Sequence, residues 1–147
     1  MLRRFSLVAV GLLLMLSATR VQAHHAFAAE FDANNPVKLK GTIKGMEWVN
    51  PHSWLHIDVK RPDGTTQVWM IEGGPPTSLV KRGFTKTSLV PGTEVIVEGF
   101  RSKDPACRPA CRANGRDISF ADGRKLFMGS SGTGAPLDGR DPTEKKK

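Results

Sequence analysis

An alternation of apolar and charged residues, with one change of phase, is the feature that most restricts the fold of this chain. From Val37 to Ile43 the odd positions are apolar or glycine, and the even positions between them are lysine or threonine. This period of two predicts a strand with one solvated face. The phase changes at Gly45, so that Met46 and Trp48 continue the apolar pattern on even positions. A glycine at such a slip indicates a β-bulge, which bends and twists a strand.

Further strand patterns follow, separated by turns that use many of the chain's 15 glycines and 10 prolines. We predict strands over residues 37–48, 52–60, 67–72, 93–100, 117–120 and 125–128, and a short helix over 77–82. This order predicts an all-β domain with one short helix, an OB-like small Greek-key barrel. A small β-sandwich is the alternative.

The first residues have the pattern of a secretory signal peptide. Basic Arg3 and Arg4 precede an apolar run of about ten residues, about half the length that spans a bilayer. Cleavage is predicted after Ala23, with a second possible cut after Ala28. The predicted organisation is a signal peptide (1–23), an N-terminal arm (24–35), a barrel domain (36–128) and a flexible C-terminal tail (129–147). The protein is therefore expected in the periplasm or outside the cell, with no membrane span after signal removal.

The net charge gives no argument for nucleic-acid binding. The formal charge of the whole chain is +8, and the signal peptide removes three arginines and no acids, which leaves +5. Three of those charges are the lysines at the C-terminus, whereas nucleic-acid binding needs cations clustered along one face.

The only two cysteines, Cys107 and Cys111, lie four residues apart. In an oxidising compartment they are expected to form a local structural disulfide, which contributes about 2 kcal/mol at best. A redox-active pair and a thiolate copper site are the alternatives.

Four histidines carry the clearest chemical signal. Cleavage after Ala23 would make His24 the first residue, followed by His25, and both His52 and His56 lie in the second predicted strand. These two alternate with the core residues of that strand and share its other face with Trp54. They are about 13 Å apart along a straight strand, so one metal ion cannot bind both.

A metal site centred on His24 follows from this arrangement. Its free amine and its Nδ1 would form a chelate, and one imidazole from His25, His52 or His56 would complete a three-nitrogen set suited to Cu(II). The amine must lose its proton to bind.

The face of the second strand also suggests a ligand surface. Trp54 could provide a stacking platform there, joined by Trp48 or Trp69 from neighbouring strands. In a purely structural interpretation, these tryptophans only pack and the histidines only form hydrogen bonds.

Several segments, taken in order, resemble an uncharacterised family of exported bacterial proteins known as a domain of unknown function. They are His24–Phe27, Glu30–Asp32, Glu47–Trp54, Gly83–Thr85 and Gly129–Gly134. The resemblance implies a small periplasmic β-domain and no particular activity. The segment around Cys107 and Cys111 departs from the family pattern.

The sequence contains no motif of a serine hydrolase, a zinc protease or a phosphate-binding loop. We therefore expect a periplasmic, non-enzymatic binding domain, with Cu(II) at His24 as the leading hypothesis. The main alternative is an interaction module that binds an envelope partner or small ligand around Trp48 and Trp54, and a copper-dependent enzyme is a distant third.

Overall fold

The computed structural model describes the backbone of residues 24–129, and side chains from Phe27 onward. Helix α1 comprises His24–Glu30 and is followed directly by strand β1, Phe31–Glu47. The other elements are β2 (Trp54–Lys60), β3 (Thr66–Glu72), helix α2 (Pro76–Lys81), β4 (Glu94–Ser102), β5 (Cys111–Phe120) and β6 (Lys125–Phe127). Along this part of the chain, no helix is long and apolar enough to cross a membrane.

The strands close into a five-stranded barrel. Strand β1 pairs with β2 on one side and with β4 on the other, and β3 joins β5 in parallel, so the ring runs β1-β2-β3-β5-β4. All other pairings are antiparallel, and β6 adds a short hairpin strand to β5. With α2 between β3 and β4, this is the small OB-like barrel that the element order predicts, and the fold-class prediction is confirmed.

The bulge predicted at Gly45 is present. The pairing of β1 with β2 shifts between Ile43 and Gly45, and beyond the shift Met46 faces Leu55. The bulge lets β1 turn from β4 towards β2 while its apolar residues keep facing inward.

The barrel interior contains the apolar residues that the alternation assigns to it. Leu55 and Ile57 of β2 are fully buried, and Ile71 of β3 packs with them. Full burial of such a side chain stabilises the fold by about 1.5–3 kcal/mol. Two turns use glycine in a left-handed backbone conformation. Gly64, between β2 and β3, has a φ of 82°, and Gly83, after α2, has a φ of 92°.

The segment 24–35, which the sequence sets apart as an arm, contains α1 and the beginning of β1. Phe27 and Phe31 are one helical turn apart and pack with Phe100 of β4 in a small cluster outside the barrel. The backbone carbonyl of Glu30 accepts hydrogen bonds from the Lys103 amide and the Ser102 hydroxyl. These contacts hold α1 against the end of β4.

The predicted signal peptide, residues 1–23, lies outside the described residues. So does the predicted flexible tail after Gly129.

Candidate functional site

A row of side chains crosses the outer surface of the barrel, and its register follows from the strand pairing. Glu47 of β1 faces Trp54 of β2, and Trp54 faces Glu72 of β3. Glu72 in turn faces Asn114 of β5, which pairs with Phe100 of β4. Since paired residues point to the same side of a sheet, these side chains share one outer surface, called the outer face below.

Helix α1 lies at the β4 end of this row. Phe27 packs on Phe100 with ring centroids 5.5 Å apart, and Phe100 is the neighbour of Asn114. Asn114 is 2% exposed and Glu72 is 5% exposed, although both are on the outside of the barrel. Helix α1 therefore reaches the outer face beside a buried carboxylate.

Burial is also the main influence on the charge of Glu72. It raises the pKa of this carboxyl to about 7, and the carboxylate of Glu30 acts in the same direction. The charge of Arg112 and a hydrogen bond from Asn114 lower the pKa, but to a smaller extent. Glu72 therefore exchanges its proton near neutral pH.

Both histidines of the β2 segment lie against carboxylates. Nδ1 of His52 is 3.1 Å from Oε1 of Glu72, and Nε2 of His56 is 2.9 Å from Oε1 of Glu47. The two histidines contact different carboxylates, which agrees with the predicted distance between them along the strand.

An ion pair joins α1 to the outer face. Nη2 of Arg112 lies 3.3 Å from Oε2 of Glu30, and the guanidinium carbon lies 4.9 Å from the centroid of the Trp54 ring. Another pair, Lys44 with Asp58 at 3.5 Å, lies further along β2. These four contacts together contain four carboxyl groups, two histidines and two cations.

The three tryptophans have different environments. Trp69 points inward, is 7% exposed and belongs to the core, where the Arg101 guanidinium lies 5.6 Å from its ring. Trp48 is half-buried and packs against the core. Only Trp54 has its ring on the outer face. The predicted ligand surface therefore contains one tryptophan, because Trp48 and Trp69 pack against or within the core.

Cys107 and Cys111 form a disulfide. Cys111 begins β5 and is buried opposite Trp69, and Arg101 Nη2 lies 3.6 Å from Cys107 Sγ. The bond fixes the loop that leads into the barrel-closing strand. In this form neither residue offers a thiolate to a metal.

The side chains of His24 and His25 lie outside the described residues. Among the side chains from Phe27 to Gly129, nowhere do three or more His, Cys, Asp or Glu residues come together as a metal site. On the described part of the outer face, a metal would therefore meet at most two such side chains.

Sequence reasoning missed the roles of Glu72, Glu30 and Arg112. The register of the β2–β3 hairpin could have placed Glu72 opposite Trp54, because the turn at Gly64 fixes that pairing. No local signal places Arg112 there, since the parallel pairing of β5 with β3 is a long-range contact.

Comparison with known proteins gives a family without an assigned activity. No curated protein and no solved structure matches the chain. A family model matches residues 12–109. This range includes α1, His52, Trp54 and His56, but it ends before Cys111 and the Gly129–Gly134 segment. The chain therefore belongs to a family of unknown function, DUF6152.

Proposed function

We propose that this protein is an exported, non-enzymatic binding domain for Cu(II), held by the amine and imidazole of His24 and by one imidazole of the barrel. The observation that carries the proposal is the contact of Glu30 with Arg112. It puts α1, which begins at His24, at the outer face that contains His52 and His56. A helix of seven residues is about 10 Å long, so its first residue lies about 10 Å from the backbone of Glu30.

The donor set suits Cu(II) in particular. Three nitrogens, two of them in one chelate, favour the tetragonal geometry of Cu(II), and Cu(II) binds nitrogen donors most strongly among the common divalent ions. Coordination releases the amine proton to solvent, so affinity should rise with pH.

Export is supported by the N-terminal sequence and is consistent with the Cys107–Cys111 disulfide, since such bonds persist in oxidising compartments. Export also exposes the chelating amine, because that amine exists only after cleavage between Ala23 and His24. The mass of the exported protein measures this directly. Cleavage after Ala28 would remove both leading histidines and refute the proposal.

The binding experiment uses the mature protein and a variant with one additional alanine before His24. Titration with Cu(II), followed by electron paramagnetic resonance, should give a one-to-one complex with nitrogen hyperfine structure. The extended variant should lose this spectrum, because its amine is displaced from the chelate. A spectrum that survives the extension would show that the histidine side chains bind copper without the terminal amine, and would contradict the proposal.

A second candidate function is the binding of a partner or small ligand on Trp54. It is favoured by one observation: the ring is half-buried on the outer face and already stacks with a cation, Arg112. Under this alternative Trp54→Ala should abolish partner capture from an envelope extract and leave Cu(II) affinity unchanged.

A further inference from the structure

We propose that His52, rather than His56, is the barrel imidazole of the copper site, and that Glu72 is the residue that positions it. This inference rests on the proposed function, because it names the third donor of that site. Its first support is the pairing already described, in which one ring nitrogen of each histidine faces a carboxylate. Metal-binding histidines commonly donate their second ring N–H to a carboxylate, which fixes the tautomer and the ring orientation.

Glu72 and Glu47 differ strongly in how firmly they can orient the imidazole ring of the histidine that each contacts. The side chain of Glu72 is 6% exposed, whereas that of Glu47 is 57% exposed. Glu72 also lies between its neighbours in the sheet, Trp54 and Asn114. Because the Glu47 side chain is solvated and free to move, it orients the His56 ring less firmly than the buried Glu72 orients the His52 ring.

The nitrogen that remains for a metal also differs. His52 places Nδ1 at Glu72, which leaves Nε2, the ring nitrogen remote from the backbone, with a lone pair for a ligand. His56 places Nε2 at Glu47, and this nitrogen is buried. Its remaining nitrogen, Nδ1, is the one nearest its own backbone. The His52 side chain is also more exposed, at 30% against 22%.

These observations give one chemical description of the site. The His24 amine and Nδ1 provide the chelate, and Nε2 of His52 provides the third nitrogen. Glu72 accepts the Nδ1–H of His52 and does not bind the metal. His56 remains outside the site, since its position four residues along the strand is too far for the same ion.

The test uses two matched pairs of variants in the mature protein. His52→Ala should lower Cu(II) affinity at least tenfold and remove one imidazole from the pulsed electron paramagnetic resonance spectrum, whereas His56→Ala should change neither. Glu72→Gln should lower affinity by about 10- to 100-fold, the range for loss of an outer-shell partner, whereas Glu47→Gln should leave it unchanged. Circular dichroism and thermal melting check folding, and His52→Gln replaces His52→Ala if the latter fails to fold.

A positioning role has its own signature. Nitrogen-15 NMR of the metal-free protein should show His52 with its proton on Nδ1, and Glu72→Gln should change the balance of tautomers. Loss of affinity in His56→Ala with none in His52→Ala would overturn the inference, as would equal losses in both. If the alanine extension abolishes binding but His52→Ala does not, the inference fails and the proposed function stands. If the extension has no effect, the proposed function itself fails.

Discussion

The guanidinium carbon of Arg112 lies 4.9 Å from the centroid of the Trp54 ring, and the same group is 3.3 Å from a carboxylate oxygen of Glu30. One cation thus joins β5, β2 and the end of α1. Because the Arg112 side chain is 40% exposed, solvent weakens its ion pair, and the contact matters more for geometry than for stability.

Arg112→Ala should therefore shift tryptophan emission to longer wavelength with little loss of stability. Removal of the guanidinium exposes the Trp54 ring, while the free energy of unfolding should fall by no more than about 1 kcal/mol. Steady-state fluorescence and urea denaturation measure the two effects. Arg124→Ala is the control, since Arg124 stacks on Phe120. Unchanged emission in Arg112→Ala would argue against the stacked contact.

The buried carboxyl of Glu72 predicts a stability that falls with rising pH in the metal-free protein. Its pKa in the folded state is about 7 against an ordinary 4.5, chiefly because of burial, so the native state holds the proton more tightly than the unfolded chain. This contribution is fully present below pH 4.5 and is lost as the pH rises through 7. The loss amounts to about 3 kcal/mol.

Glu72→Gln should remove most of this dependence, because a glutamine cannot ionise. Urea denaturation at pH 5 and pH 8 should show a smaller difference for the variant than for the wild type, with the variant more stable at pH 8. Glu94→Gln is the matched control, since Glu94 is an exposed carboxylate on β4. Parallel profiles for the wild type and Glu72→Gln would refute the assigned burial effect.

Gly99 of β4 should not tolerate a side chain. A Cβ built there would lie 2.0 Å from the backbone oxygen of Asn114 and 3.1 Å from the Cα of Gly115, and backbone atoms cannot move aside cheaply. Gly99→Ala should cost about 3 kcal/mol or more. Gly45→Ala is the control, because nothing lies within 4 Å of its Cβ position. Thermal melts that fall equally for both variants would contradict the close approach of β4 and β5.

Much of the fold is predictable from local patterns. The alternation around Val37, the slip at Gly45 and the turn at Gly64 lead to β1, its bulge and the β2–β3 hairpin. The predicted strand β5 is too short, because it begins at residue 117, whereas the observed strand begins at Cys111. Its first half contains Asn114, Gly115 and Arg116, which do not alternate apolar and polar residues and yet are buried.

The candidate site is less predictable than the fold. Strand parity correctly puts Trp54, His56 and Asp58 opposite the core residues of β2. It cannot show that Glu72 is buried, because that burial depends on α1 and β5, which are distant in sequence. Helix α1 is not predicted, because its seven residues show no periodic pattern of their own. Its packing depends on Phe27, which forms a cluster with Phe31 of β1 and Phe100 of β4.

Reduction of the Cys107–Cys111 disulfide should destabilise the domain by about 2 kcal/mol or less, because the loop that it closes is short. Urea denaturation with and without dithiothreitol measures the difference, and a Cys107→Ser, Cys111→Ser variant should be insensitive to the reductant. Since Cys111 is buried, the variant should be less stable than the reduced wild type. A loss well above 2 kcal/mol on reduction would show that the bond holds β5 in place as well.

The parallel contact of β3 with β5 has a consequence for how the chain matures. Until residues 111–120 are available, both β3 and β4 have a free edge, and free edges invite pairing between chains. One late segment caps both edges at once, so nascent or truncated molecules that end before Cys111 should aggregate rather than remain as stable fragments. Completion of this domain is therefore close to all-or-none.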